Sequence, residues 1–450
     1  MTRTILNCGV VVSMDAEIGV LRNADIVIDD GRIEAVGQNV GADEEGSDVI
    51  DLSDAIVLPG LVNAHAHLFQ TSIRGIAGDY SLDDYYHNVK QRLRPAYTPE
   101  DVYLGDLFGA FEQLNAGVTT VFDWCHVINT PAHADRAVDA LIDSGIRAVF
   151  GYGVGVNQDS SDPHPEDARR MAEERLPADD GRVSQALSLR RPSQSSYEIA
   201  TQDLRFAREL GLPASMHIGA AFYEDGANEE ITAMHEEGLL GPDVNFVHAN
   251  DLSEEVFNLM GSESVSVSVT PEAEMQMGHG LPATGKALKG SARLTLGSDV
   301  VSSVGSDMFT PMRIALQTQR ALDNVETLAA GESIEELSVS LRDVLRAATI
   351  DGARALGVGD DVGSLTPGKQ ADITAISTES INTGPVRDPI ATIVLHAEPA
   401  NVDTVLVRGE PAKLDGELVH PDVEQRWDDM VESGDRLLRD AGLEELATYS

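Results

Sequence analysis

The sequence predicts an α/β protein, a (β/α)8 TIM-like barrel with a small β-sandwich domain built from both chain ends. Two observations favour this fold. Apolar, strand-like runs alternate with amphipathic helical stretches through the middle of the 450-residue chain, as repeated βα units require. Short strands and turns precede and follow that region, and a chain of this length exceeds the usual size of a single core.

Both chain ends contain short strand-like runs separated by tight turns. Asp30-Gly31 is typical of a hairpin turn, and Pro367-Gly368 marks a similar break near the other end. The chain is therefore expected to leave a β sandwich, form the large domain, and return to complete the sandwich. The expected regions are residues 1–58 with 360–420 as the β-sandwich domain, residues 59–359 as the barrel, and residues 421–450 as a C-terminal helix.

Eight runs in the middle region have the length and apolar character of buried parallel strands. Helical stretches between them include residues 99–116, 131–144, 196–209 and 253–259. If the eight units close on themselves, the carboxyl ends of all strands meet on one face, where such barrels carry their active sites. The predicted strands are residues 56–62, 118–123, 148–153, 183–188, 213–217, 245–248, 264–270 and 294–298.

Charge is the most unusual bulk property. The chain has 75 acidic and 32 basic residues, a formal net charge of -43. Such a field repels nucleic acid and anionic membranes, so neither is expected as a partner. The acidic residues are spread over the whole chain, which favours a halophilic adaptation to a cytoplasm with molar salt over an anion-avoiding surface tied to function. At about 1 M salt the Debye length is only about 3 Å.

Targeting and redox signals are weak. We find neither a run of about 20 apolar residues, as a membrane span requires, nor a secretion signal at the N-terminus, so a cytoplasmic protein is expected. Cys8 and Cys125 are the only cysteines. Two isolated thiols predict no disulfide framework and exclude a Cys-x-x-Cys metal or redox site.

The stretch PGLVNAHAHL carries the clearest chemical signal. His65 and His67 follow a buried-looking strand with one residue between them. Side chains two apart on a strand point the same way, so the pair presents two imidazoles to one metal ion. The alternative is two surface histidines in a loop.

Further ligand-type residues follow other predicted strands. Because carboxyl ends of barrel strands share one face, these side chains are expected to meet. Imidazoles and a carboxylate suit Zn²⁺ or Fe²⁺ with one open position for water, and a carboxylate such as Asp299 can accept and return the proton of that water. The residues are Asp123, Trp124 and His126 after the second strand, His217 after the fifth, His248 after the sixth, Glu272, Glu274 and His279 after the seventh, and Asp299 after the eighth.

The order of these motifs resembles the amidohydrolase superfamily, in particular the branch that holds cytosine, guanine and S-adenosylhomocysteine deaminases and the triazine (chlorohydrolase-like) hydrolases. The resemblance covers about residues 1–420. It implies one divalent metal ion, zinc in preference to iron, and a small-molecule substrate. It also implies a homodimer or higher homo-oligomer. By that resemblance the metal ligands are His65, His67, His217 and Asp299, with His248 beside the metal water as a ligand or an electrostatic stabiliser.

One position departs from that branch. Its deaminases usually carry a glutamate three residues after the fifth-strand histidine, where it protonates a ring nitrogen of the substrate; here that residue is Ala220. One hypothesis is that Glu274 or Glu272 supplies the missing acid from the neighbouring strand. The alternative is that these glutamates pair with Arg74 or another base at the rim.

Several further residues are candidates for substrate contact. Gln70 could bond a substrate amide or ring edge, and Trp124 with His126 could form an aromatic floor for a planar ring. His279 and Glu272 are also candidates for contact with the substrate. The alternatives are rim packing for Trp124 and, for His126, a hydrogen bond that fixes the tautomer of a metal ligand.

Three functions remain open from the sequence. The first is a metal-dependent aminohydrolase (deaminase) acting on a small nitrogen heterocycle or related C–N bond. The second is hydrolysis of another leaving group on the same scaffold, by triazine-type dechlorination, alkylamine removal or cyclic amide opening. The third is a non-catalytic metal-binding barrel, against which the full set of ligand-type residues argues.

Overall fold

The computed structural model describes residues 3–41, 46–176, 181–220 and 226–446. The end of the predicted C-terminal helix, residues 447–450, and residues 1–2 and 42–45 of the predicted β-sandwich domain lie outside the described residues. Sixteen strands are described. They are β1 Thr4–Val12, β2 Val20–Asp29, β3 Arg32–Gly37, β4 Asp48–Pro59, β5 Leu61–Ala66, β6 Val118–Cys125, β7 Arg147–Tyr152, β8 Val183–Leu189, β9 Ala214–Ile218, β10 Val244–His248, β11 Ser266–Val269, β12 Arg293–Leu296, β13 Ile373–Ser377, β14 Val402–Val407, β15 Glu410–Leu414 and β16 Glu417–Leu418.

Helices follow most of the strands. They are α1 Leu82–Tyr85, α2 Pro99–Asn115, α3 Pro131–Ser144, α4 Asp167–Arg170, α5 Tyr197–Glu209, α6 Ala227–Glu236, α7 Glu254–Ser262, α8 Pro271–Gln276, α9 Thr284–Lys289, α10 Phe309–Ala329, α11 Leu341–Ala347, α12 Ile350–Ala355, α13 Pro389–Ala391, α14 Asp422–Gln425 and α15 Trp427–Asp440. Segments with 3₁₀ geometry are Leu68–Ile73, Arg94–Ala96, Pro192–Gln194, Pro399–Asn401 and Glu444–Leu446, and π-helical segments are Tyr86–Leu93, Met171–Arg175 and Thr392–His396. Among the described helices, none is both long and apolar enough to cross a membrane.

The chain divides into two compact units. One comprises residues 1–64, 112–120 and 307–420, and the other comprises residues 65–111, 121–306 and 421–450. The first contains an eight-stranded sheet in the order β16-β15-β14-β13-β4-β1-β2-β3. β1 and β4 run parallel and the other pairs antiparallel.

The core of that sheet draws on both chain ends. Leu6 and Ile26 come from the N-terminal strands, and Ile373 and Leu406 come from the C-terminal ones; all four are fully buried in one cluster. Each chain end supplies four of the eight strands, and the two ends share one core. The predicted small β domain from both ends is confirmed.

The second sheet is parallel, and its order β12 to β5 follows the chain. Every residue of β5 and β6 is buried, as expected of parallel strands that are covered on both faces. A parallel bridge between Ala66 and Asp299 joins the region after β12 to the end of β5. The amide of Asp299 donates to the carbonyl of His65 at 3.0 Å, and that of His67 donates to the carbonyl of Asp299 at 2.9 Å. These bonds close the sheet, so the predicted barrel fold class is confirmed.

Local sequence signals explain where the barrel helices begin. α5 starts after Ser196, whose Oγ accepts from the Ile199 amide at 3.2 Å, and α7 starts after Ser253, whose Oγ accepts from the Val256 amide at 3.3 Å. Such caps satisfy amides that have no partner within the helix. α3 ends at Gly145, which adopts a left-handed conformation with φ of 78° that glycine favours.

Candidate functional site

His65 and His67 project from the carboxyl end of β5 to the same side. Both side chains are buried, and the Nδ1 of His67 donates to the carbonyl oxygen of Trp124 at 2.6 Å. That bond fixes the tautomer of His67, because Nδ1 carries the proton and Nε2 keeps its lone pair. Burial lowers the pKa of His65 and His67, so both rings are neutral and suited to metal binding.

Asp299 and His217 complete a group of four possible ligands. The Nε2 of His65 lies 3.2 Å from Oδ1 of Asp299 and 3.2 Å from Nε2 of His217, and the Nε2 of His67 lies 3.5 Å from the same carboxylate oxygen. One ligand atom from each of the four residues falls within 4.8 Å of the others. Two ligands about 2.0–2.1 Å from a tetrahedral zinc ion lie roughly 3.3 Å apart, so the set fits a divalent metal.

The electrostatics of the group agree with that fit. Burial lowers the pKa of His217, as it does for His65 and His67. For Asp299 burial alone raises the pKa, but the hydrogen bond with His65 and the imidazoles around it hold the pKa well below its usual range. Three neutral imidazoles and one carboxylate are therefore the resting donor set, which is the set that zinc and iron bind.

The backbone at two of these strand ends is left-handed. His248 has a φ of 74° and Asp299 a φ of 65°. Such conformations cost free energy in residues other than glycine and concentrate at functional sites. They turn the chain sharply after β10 and after β12, so the side chains of both residues line the same pocket.

Glu274 lies behind His248, away from the pocket. Its Oε1 accepts from the amide of Thr270 at 2.8 Å and lies 3.3 Å from Nδ1 of His248. The hydroxyl of Thr270 lies 3.1 Å from the same ring nitrogen. Glu274 is fully buried on α8. This carboxylate and the Thr270 hydroxyl contact Nδ1 of His248, a ring that lines the pocket.

The other candidates for substrate contact fall into two groups. Gln70 is buried, donating through Nε2 to the Tyr85 hydroxyl at 2.7 Å and accepting from Ser302 at 2.6 Å. Trp124 packs on His217 with ring centroids 4.4 Å apart, and His126 packs on His67 at 4.6 Å. None of Gln70, Trp124, His126 and Glu272 is among the described residues that line the pocket.

His279 does line the pocket. Its ring packs edge-on against His248, with centroids 4.8 Å apart. The side chain is 4% exposed, and neither ring nitrogen has a hydrogen-bond partner among the described residues. Burial lowers the pKa of His279 to about 3, so the ring is neutral and offers one donor and one acceptor.

The pocket encloses about 450 Å³ of empty space, part of which is open solvent. Its wall includes several residues that the sequence did not point to, chiefly from α1 and the π-helical segment after it. Lys90 had one available signal, because it is one of only five lysines in the chain. The lining residues are His67, Leu82, Tyr85, Tyr86, Lys90, Arg191, His217, Ala220, His248, Met277, His279, Asp299 and Val300.

Comparisons with known proteins identify the family. A 5'-deoxyadenosine deaminase from Methanothermobacter thermautotrophicus is 30% identical over 418 residues, covering 89% of this chain and 92% of that protein. A 5-methylthioadenosine/S-adenosylhomocysteine deaminase from Acetivibrio thermocellus is 27% identical, covering 95% and 98%.

Solved structures agree with this fold. An adenosine deaminase from Xanthomonas campestris with bound zinc is 25% identical with a TM-score of 0.84, covering 97% of this chain and 98% of that one. A triazine hydrolase from Arthrobacter aurescens is 21% identical with a TM-score of 0.84, covering 96% of this chain and 100% of that one, and shows the fold alone. The amidohydrolase family model matches residues 56–412, so the chain belongs to the amidohydrolase family.

Proposed function

We propose that this protein is a metal-dependent aminohydrolase that replaces the amino group of a small nitrogen heterocycle by oxygen and releases ammonia. The observation that carries the proposal is the group formed by His65, His67, His217 and Asp299, three of which line the pocket. The deaminase names of relatives that match almost the whole chain support it.

We propose zinc as the metal, with iron as the alternative, held by the three imidazoles and Asp299. When bound, the metal supplies a water whose pKa is lowered toward about 7. Asp299 would hold the proton of such a water on a carboxylate oxygen and would pass it to the departing amine. The neutral imidazoles of the ligands keep their lone pairs at ordinary pH because burial lowers their pKa.

His248 and Glu274 are proposed as the acid side of the reaction. Ala220 stands on the pocket wall where deaminases of this branch usually have a glutamate, so ring protonation needs another donor. His248 lines the pocket, and its Nδ1 lies 3.3 Å from the Glu274 carboxylate, which leaves Nε2 for the substrate. We propose that His248 delivers the proton to the ring and that Glu274 is a positioning residue that stabilises the charged imidazole.

A second candidate is hydrolysis of another leaving group, such as chloride, an alkylamine or a cyclic amide. The absence of a glutamate at position 220 favours it, since an easily displaced group needs less ring protonation. The structural likeness to triazine hydrolase is compatible with it but concerns the fold alone.

The test is an ammonia-release screen over purine nucleosides, pyrimidines, pterins and triazines in molar KCl, with chloride and alkylamine release measured on the triazines. The control is Asp299→Ala, which keeps the fold and removes the proposed base. Ammonia from at least one ring, lost in the control, supports the first proposal. Release of chloride or alkylamine alone supports the second.

We also propose that the acidic composition is an adaptation to a cytoplasm with molar salt and that the enzyme works as a homodimer or larger homo-oligomer. Most recorded ion pairs lie at the surface, for example Arg169 with Glu166 and Glu209, where salt screens both attraction and repulsion. Light scattering after size exclusion in molar KCl measures the oligomeric state, and a monomer would contradict the second part.

A further inference from the structure

The pocket carries a charge opposite to that of the chain. Acidic residues outnumber basic ones by 75 to 32 in the whole protein. Among the described lining residues, however, two are cations, Lys90 and Arg191, and the one carboxylate is Asp299, which belongs to the metal-ligand group. The remaining wall of the pocket is therefore positively charged.

Lys90 has no carboxylate partner in the described part of the chain. Its ammonium group forms no ion pair or hydrogen bond with a described residue, and Nζ lies 5.0 Å from the ring centre of Tyr86 and 6.0 Å from that of Tyr85. Burial lowers the pKa of Lys90. A desolvated cation without a counter-charge is costly, so its position on the wall of a pocket points to an anion that enters with the substrate.

Arg191 is held in a fixed orientation beside it. Its Nε donates to Ser193 Oγ at 2.8 Å and its Nη2 donates to the Tyr86 hydroxyl at 3.2 Å. Gln194 Nε2 donates to the same hydroxyl at 3.3 Å. These contacts orient a planar guanidinium on the pocket wall, and such a group binds an oxyanion through two parallel N–H bonds.

Tyr85 adds another donor. Its hydroxyl oxygen accepts from Gln70 Nε2 at 2.7 Å, so its own proton points elsewhere, and the residue lines the pocket. Burial raises the pKa of Tyr85, which keeps that proton in place. The wall around Lys90 thus offers donors to a group with acceptor oxygens.

Lys90 lines the same pocket as the metal-ligand residues His67, His217 and Asp299. An anion bound by Lys90 therefore shares one cavity with the carbon that reacts. An anionic oxygen on the reacting ring itself satisfies both contacts without a linking arm.

We propose that the substrate is a nitrogen heterocycle with an anionic oxygen group on the ring itself, a ring carboxylate or a deprotonated ring oxo group, and that Lys90 and Arg191 bind this oxygen. The inference rests on the proposed function, because it names the substrate class of the same site. It also gives a reason for Ala220: a carboxylate on this wall would repel the anion.

Two matched pairs of substrates test it in molar KCl. Pterin against pterin-6-carboxylate tests the ring carboxylate, and melamine against ammelide tests the acidic ring oxo group. Each is assayed for ammonia release with the wild type, Lys90→Met, Arg191→Gln and Lys289→Met, an exposed lysine on α9 that serves as the matched control. Binding of lumazine and lumazine-6-carboxylate, the ring products, is measured by calorimetry.

We expect the anionic member of at least one pair to have the higher kcat/KM by at least about 10-fold. Lys90→Met should lower that value at least about 10-fold, mainly through KM, and change the neutral member less than about 3-fold. Lys289→Met should change neither. The thermal midpoint of Lys90→Met should not fall, because the variant removes a half-buried cation that has no carboxylate partner among the described residues.

Equal preference for neutral and anionic rings, or an equal loss for both in Lys90→Met, would overturn the inference while leaving the aminohydrolase in place. If no ring releases ammonia, the proposed function fails, and the calorimetry still decides the inference. Lumazine-6-carboxylate binding at least about 10-fold tighter than lumazine, with the difference lost in Lys90→Met, supports it. Equal binding of the two products contradicts it.

Discussion

Replacing Glu274 by glutamine tests how the proton side of the site works. The variant keeps the size of the side chain and one acceptor oxygen for the Thr270 amide, now 2.8 Å from Oε1, but it removes the negative charge 3.3 Å from Nδ1 of His248. What it removes is therefore the attraction between the carboxylate and the imidazole once the ring is charged.

The size of that attraction follows from the distance. Two unit charges 3.3 Å apart attract by about 5 kcal/mol at an effective dielectric constant of about 20. Because the bonds with Thr270 remain and the ring can reorient, we expect about half of this in the transition state. That is about 2.5 kcal/mol, or a fall in kcat of about 70-fold, with KM changed less than about 3-fold.

The assay is steady-state ammonia release with the best ring of the screen. Glu272→Gln is the matched control, because Glu272 lies two residues away on α8 and its side chain is only partly buried. A few-fold loss for Glu274→Gln would refute the role of Glu274. A loss of about 10²-fold for Glu272→Gln instead would assign the missing acid to the other glutamate.

Three further predictions concern the metal, buried acids and salt. Asp299→Ala should lose metal as well as turnover, so elemental analysis should fall from one ion per chain toward none while circular dichroism stays unchanged. Asp106 and Asp123 are buried neighbours; burial, then the charge of Asp123, raises the pKa of Asp106, and burial raises that of Asp123 to about 7. Both favour the protonated form, so the unfolding free energy should fall as pH rises from about 4 through about 7. Asp106→Asn should remove much of that fall, and parallel pH curves for variant and wild type would contradict it. In dilute buffer the melting temperature should drop, since the net charge of -43 is then unscreened; an unchanged melting temperature would refute salt adaptation.

The barrel and its ligand-bearing edge could be predicted because both depend on local pattern and topology. β9 and β10 end at Ile218 and His248, within one residue of the predicted ends, and α3 and α5 begin where Pro131 and Ser196 indicate. Residues that follow parallel strands must share one face. The proximity of His65 and Asp299 could be predicted without side-chain geometry, because the barrel closes between the strands that precede them.

The pocket wall could not be predicted in the same way. Lys90 lies in the π-helical segment Tyr86–Leu93, where the spacing of side chains departs from that of an α-helix, so the sequence pattern does not tell which of its residues face inward. Gln70 and Trp124 lie near the ligands in sequence, yet their contacts are with Tyr85 and His217. Which side a buried polar group faces depends on tertiary partners that no spacing rule supplies.

The most direct test of the central claim is a zinc titration of metal-stripped protein in molar KCl, followed by ammonia release from the best substrate of the screen. The wild type should gain activity in proportion to bound zinc and saturate at one ion per chain, as the group of four ligands requires. His217→Ala should bind zinc more weakly and gain little activity. Turnover that does not depend on added metal, or saturation at one ion per chain without ammonia release from any ring, would contradict the account.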